Sequence, residues 1–207
     1  TFPTAQPEGL LTLTAVAVDA AGNTSDATSH GFTIDLTPPE TFIESGPDAL
    51  TRETSATFEL RSEGGAVGYE CSLDGAAYVA CTSPVGYTGL ADGEHQLRVR
   101  AVDAVGNVDA TPATHTWTVD TTPPDTLIVS GPDSPTRAVE ASFELAASEP
   151  GSTFECSVDG ATYVTCTSPA LFEGFAEGEH TLTVRAVDAA GNVDDTPAEY
   201  TWTVDLT

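Results

Sequence analysis

No lysine occurs in the 207 residues, and the only basic side chains are six arginines: Arg52, Arg61, Arg98, Arg100, Arg137 and Arg185. Against them stand 32 acidic residues, for a formal net charge of -26. Phosphate backbones and anionic headgroups are bound by Lys and Arg that displace their counterions, so this charge excludes nucleic acid and makes a membrane surface a poor partner. Long apolar runs are missing as well. Apolar residues make up 40% of the chain but fall in short stretches, and none approaches the roughly 18 residues of a membrane span, so direct membrane insertion is excluded. Thr1 to Leu11 show no basic start, continuous apolar run or small-residue cleavage site, so a secretory signal is expected to be removed or to lie outside this segment. Helical periodicity is also lacking, since Gly or Pro interrupts every candidate window.

What the chain does have is repetition. Pro38-Pro39 recurs as Pro123-Pro124, Cys71 as Cys156, Cys81 as Cys166, Gly93 as Gly178 and Trp117 as Trp202, each pair 85 positions apart. Residues 38–122 and 123–207 are therefore two copies of one unit. Residues 1–37 read as the C-terminal part of a third: Gly9, Asp19 and Gly22-Asn23 answer to Gly93, Asp103 and Gly106-Asn107 at an offset of 84, and Asp35 answers to Asp120 at 85. This front segment is expected to come from a longer protein, or to complete a sandwich with another chain.

Within a copy, short alternating strands are spaced by turn signals. Ala56, Phe58 and Leu60 make one inward face, and Leu97, Val99 and Ala101 another, with Gln96, Arg98 and Arg100 on the solvated side. Regular β-branched and aromatic residues argue against acidic disorder. Seven strands per copy are predicted, in an all-β fold of tandem sandwiches set end to end.

The linker Asp120-Thr121-Thr122-Pro123-Pro124, the Glu70 to Gly75 hairpin with Cys81, and the run Gly93-Glu94-His95 through Gly106-Asn107 resemble bacterial immunoglobulin-like and fibronectin type III-like repeats. The resemblance covers the whole chain. It implies an extracellular or cell-surface array whose partners are neighbouring modules of the same longer protein, or identical chains in a filament or coat. Cys71 and Cys81 are too close in sequence for the bridge of an antibody domain, which favours a fibronectin-like strand order.

Two copies of C-x9-C flank Asp74-Gly75 and Asp159-Gly160, and a hairpin turn there predicts the disulfides Cys71–Cys81 and Cys156–Cys166. Zinc would call for C-x2-C or C-x4-C spacing with further ligands. His30, His95, His115 and His180 recur with the scaffold, next to no nucleophile elbow or carboxylate pair, so no enzyme is expected. Trp117 and Trp202 read as packing, with a sugar platform as the sharper alternative. Asp19, Asp103 and Asp188 each precede Gly-Asn at a hairpin tip, where an Asp can simply accept backbone N–H bonds. Nothing requires a cofactor. The sharper reading is calcium at the junctions, held by Asp35, Asp103 and Asn107 at one and by Asp120, Asp188 and Asn192 at the other. The function expected is a non-catalytic spacer, filament or coat component or adhesin stalk. The alternative is a glycan- or protein-binding module using loops near Glu63-Gly64-Gly65 and Glu149-Pro150-Gly151.

Overall fold

The structure, a computed structural model, describes residues 7–207; residues 1–6 of the front copy lie outside the described residues. Among the described residues there is no helix, and the chain is an all-β sandwich fold. The front segment contributes β1 (Gly9–Ala15) and β2 (Thr28–Ile34), an antiparallel pair. The central copy contributes β3 (Glu40–Ser45), β4 (Leu50–Thr51), β5 (Ser55–Glu63), β6 (Ala66–Leu73), β7 (Val79–Cys81), β8 (Val85–Thr88), β9 (Gly93–Asp103) and β10 (Ala113–Val119). The last copy contributes β11 (Thr126–Ser130), β12 (Glu140–Ala147), β13 (Thr153–Val158), β14 (Val164–Cys166), β15 (Ala170–Glu173), β16 (Gly178–Val187) and β17 (Ala198–Val204).

The central copy has one strand more than the seven predicted. Its extra strand β4 pairs in parallel with the end of β10, Leu50 opposite Thr118 and Thr51 opposite Val119. In the last copy the same crossing shrinks to one parallel bridge, Thr136 with Val204. Two residues are too few to carry an alternation, which is why the sequence pattern does not reveal this piece.

In the last copy the sheet β11-β12-β15 faces the sheet β14-β13-β16-β17. Strict alternation on β12 turns Ala141, Phe143 and Leu145 inward, where they meet Cys156, Ala170, Leu182, Val184, Trp202 and Val204 in one apolar cluster. Phe143 meets Trp202 and Tyr200 edge to face, with centroids 5.3 and 5.5 Å apart. Each of these large side chains contributes roughly 1.5–3 kcal/mol of transfer free energy. The central copy orders its strands in the same way, β3-β5-β8 and β4-β10-β9-β6-β7.

Chain packing divides the molecule into two compact units whose limits ignore the 85-residue register. One takes Thr1–Ser45, Phe58–Val85 and Leu97–His115; the other takes Gly46–Thr57, Gly86–Gln96 and Thr116–Thr207. Each linker therefore sits inside a unit, together with the hairpin tip of the copy that follows it.

Candidate functional site

The tip between the last two strands of each copy is built around one aspartate. Asp103 closes β9, and its Oδ1 accepts the N–H groups of Val105 (2.9 Å) and Asn107 (2.8 Å) while Oδ2 accepts Asn107 Nδ2 at 2.8 Å. Gly106, at φ +94°, allows the chain to turn back, and Asp103 N donates to Asn107 O at 3.0 Å. Burial works to raise the Asp103 carboxyl, but the Asn107 side chain and backbone, with Val105 and Gly106, hold it below its ordinary value. The last copy repeats the loop with Asp188 and Asn192, at 2.8 Å to both carboxylate oxygens. The front copy repeats it with Asp19 and Asn23, at 2.8 and 2.7 Å.

The tip asparagines reach beyond their own loops. Asn107 Nδ2 donates to the linker carbonyl of Asp35 at 3.1 Å, and Asn192 Nδ2 donates to that of Asp120 at 2.7 Å. At the second linker the contact is reciprocal, because Arg52 Nη1 donates to Gly191 O at 2.7 Å. The carboxylates of Asp35 and Asp120 turn to their own linkers, accepting Thr37 N and Thr122 N at 3.1 Å. Asp92 then fastens the second linker, accepting Thr121 Oγ1 at 2.7 Å.

Of the six residues predicted to hold a cation, Asp120 and Asp188 come together, and with them Glu149. One carboxylate oxygen from each of the three lies within 4.8 Å of the others. Desolvation, followed by the charges of Asp120 and Asp188, pushes the Glu149 carboxyl above its ordinary value. In the sequence, Glu149 stood out only as part of a loop offered as a contact surface for a glycan or protein. Its counterpart at the first linker is Gly64, where an added Cβ would stand 3.1 Å from Pro39 Cα. Asp35, Asp103 and Asn107 therefore meet without a third carboxylate at that position.

A second carboxylate, absent from the sequence reading, ties each copy's first strand to its neighbours. Buried Asp194 accepts Thr126 N (2.8 Å) on Oδ2 and Thr196 N (2.7 Å) and Thr196 Oγ1 (3.1 Å) on Oδ1. Thr126 Oγ1 in turn accepts Ala186 N at 2.7 Å. Asp109, Thr41, Thr111 and Ala101 make the same staple in the central copy. The signal was the Asp two residues before each Thr-Pro, 85 positions apart.

The cysteines are paired as Cys71–Cys81 and Cys156–Cys166, with Cα atoms 5.9 Å apart in both. The turn that brings them together has positive φ at both central residues, Asp74 and Gly75 in one copy and Asp159 and Gly160 in the other. Both tryptophans are 1% exposed, so neither offers a face to a sugar. His180 packs beside Trp202 and Phe175, with Nδ1 2.8 Å from Asp159 Oδ2 and Nε2 2.9 Å from Ala176 O. Two acceptors require both ring nitrogens to carry protons, and the Ala176 carbonyl followed by Asp159 raises the imidazole above its ordinary value. Three arginines likewise serve the scaffold: Arg61 pairs with Glu44 and Glu63, Arg100 with Glu70 over the Tyr78 ring, and Arg185 with Glu155 over Tyr163.

No curated protein matches the chain. Among solved structures it is similar to fibronectin(III)-like modules of Clostridium thermocellum CbhA, at 19% identity over 80% of this chain and 94% of that one, with a TM-score of 0.49. It is also similar to a 1.5-MDa bacterial ice-binding adhesin, at 20% identity over 99% and 77% of the two chains, with a TM-score of 0.49. A Ca2+-stabilised adhesin of an Antarctic bacterium aligns at 20% identity over 95% of this chain and 57% of that one, with a TM-score of 0.44. Residues 1–36, the segment that carries the front hairpin and its Asp19–Asn23 tip, match the family model described as Bacterial Ig-like domain.

Proposed function

We propose that the chain is a non-catalytic stretch of a secreted or cell-surface protein, a spacer or adhesin stalk in which residues 38–122 and 123–207 act as serial modules. The observation that carries this reading is the recurring asparagine contact, Asn107 to Asp35 O and Asn192 to Asp120 O, which joins each copy to the linker before it. A binding protein has no need to repeat such a contact at every linker. A spacer does, because its output is a fixed distance. The disulfides support a location outside the reducing cytosol. Small-angle scattering on chains of two, three and four concatenated copies tests the reading. A maximum dimension rising by a constant increment per copy is expected, and a dimension that levels off would refute it. The binding alternative is tested by a glycan array, where saturable binding by residues 123–207 alone would favour recognition.

A finer reading concerns calcium, and it applies to the second linker. Asp120, Glu149 and Asp188 offer hard oxygen donors of the kind calcium takes, and the Glu149 carboxyl, raised by desolvation and then by the charges of Asp120 and Asp188, carries a repulsion that a divalent cation would relieve. When bound, the cation would supply charge neutralisation at the linker, while Asn192 and Arg52 hold the tip in place. Calcium should raise the unfolding midpoint of the wild-type chain and leave that of Glu149→Gln unchanged. Equal responses in both would remove Glu149 from the site.

A further inference from the structure

We infer that the central copy carries a shallow binding site for a neutral sugar ring, built on the hydroxyl pair Ser62 and Tyr69 with Val67 at its rim. The inference goes beyond the spacer reading and does not depend on it.

The site is a point where two otherwise matched copies differ. Ser62 on β5 and Tyr69 on β6 belong to different sheets, and their hydroxyl oxygens stand 3.1 Å apart. At the same places, 85 positions on, the last copy carries Ala147 and Phe154, and Phe154 packs against the apolar cluster. Two hydroxyls therefore stand between the sheets of one copy where the other has none. The backbone differs too. Pairing of β6 with β9 shifts register between Ala66 and Gly68, while β13 starts its pairing with β16 directly at Thr153. Such a bulge re-aims a side chain, and Val67 is 70% exposed.

Ser62, Val67 and Tyr69, with Cys81, Thr82 and Ser83, line an open cavity of about 270 Å³. Pockets that enclose drug-sized molecules run from about 300 to 1,000 Å³, so this one suits a single ring. In the last copy, which a whole copy precedes, the corresponding Gly151, Thr153, Thr167 and Ser168 are exposed. The position thus stays in solvent when a complete module comes before it.

The lining selects the ligand. Among the described residues, none of the side chains lining the cavity is charged, so an anion finds no cation there and a metal ion no carboxylate. The net charge of -26 repels anions further. An apolar ligand would strip water from the two hydroxyls and return no hydrogen bond. A neutral sugar meets every condition. Ser62 and Tyr69 use one proton between them, which leaves the other O–H to donate and a lone pair on each oxygen to accept, the complement of a sugar hydroxyl pair. Val67 supplies apolar surface for the C–H groups of the ring. Ser83 shapes the wall, since its Oγ already accepts Leu60 N at 2.8 Å and donates to Glu59 Oε2 at 3.1 Å.

Titration of the isotope-labelled 207-residue chain with the methyl glycosides of glucose, galactose, mannose and N-acetylglucosamine, each to about 50 mM, tests this through amide chemical shifts. At least one sugar should give saturable shifts at residues 62–69 and 81–83 and none at residues 147–154, and methyl glucuronide should give none. The double variant Ser62→Ala, Tyr69→Phe places in the central copy the residues with which the last copy folds. It should keep its unfolding midpoint and bind about tenfold more weakly, the loss of one hydrogen bond's net contribution. Val67→Asp, made at an exposed side chain, should weaken binding as well and keeps the test valid if the double variant unfolds. The inference is overturned if none of the four sugars gives saturable shifts, if the shifts fall elsewhere, or if the variants bind as the wild type does. Each of these results leaves the spacer reading standing, since scattering tests that separately.

Discussion

Replacing Asp194 with alanine should destabilise the last copy selectively. The carboxylate accepts two backbone N–H groups and one hydroxyl at 2.7 to 3.1 Å in a site where Asp194 is 4% exposed. Alanine leaves the N–H of Thr126 and that of Thr196 without acceptors. An unsatisfied buried donor costs about 1–3 kcal/mol, and water reaching the exposed Thr196 offsets part of the loss, so about 2–4 kcal/mol is expected. With a urea dependence of about 1 kcal/mol per molar for a module this small, the midpoint of the last copy should move by about 2 M or more. Trp202 and Trp117 sit in the cores of different copies, so fluorescence of Trp117→Phe and Trp202→Phe backgrounds assigns each transition. Asp194→Asn should do no better, since an amide placed there must turn its NH2 toward one of two N–H donors. Acid unfolding adds a second reading. Burial opposes ionisation of Asp194, but its bonds with Thr126 and Thr196 hold the carboxyl below its ordinary value. Its stabilisation is thus present above the unfolded carboxylate range and is lost as pH falls through the folded value, a component that the alanine variant should lack. A midpoint change equivalent to less than about 0.5 kcal/mol, the level of an ordinary surface substitution, would refute the staple's role.

Intact mass should rise by about four hydrogens on reduction, reflecting two bridges, and free thiols in the untreated protein would contradict the pairing. Replacing Cys156 and Cys166 together by alanine should cost about 3 kcal/mol, the loop-closure value for a separation of 10 residues, read as a lower urea midpoint for the last copy. His180 has a raised value, so its stabilisation is complete below the unfolded value of about 6.5 and is lost as pH rises through the folded one. The thermal midpoint of the last copy should accordingly fall as pH rises from about 6.5 through the raised folded value, and Asp159→Asn should flatten that fall.

The strands and the cysteine pairs were legible because each is written in short-range pattern: alternation in Ala56-Phe58-Leu60 and a turn dipeptide between cysteines. The tip loops were legible for the same reason, since Asp and Asn lie four residues apart. Contacts between distant segments were not. Glu149 joins Asp120 and Asp188 from loops 29 and 39 residues away, and nothing local marks it. Thr126 and Asp194 are separated by 68 residues, and each alone reads as an ordinary polar residue beside a turn. Asn192 could be placed at the tip, but the linker carbonyl it finds is a backbone group, invisible in side-chain chemistry. The short strand β4 was missed because its parallel pairing with β10 depends on a crossing between sheets.

The disulfides also matter when the chain is pulled from its ends. The covalent path under tension runs through Cys71–Cys81 and Cys156–Cys166, so the residues between each pair bear no load even after a copy unravels. An extended residue spans at most about 3.6 Å, and each bridge therefore withholds on the order of 30 Å of contour length. Tension alone leaves that length folded away; a reductant releases it. The small loop is thus a reserve of length governed by redox chemistry rather than by force.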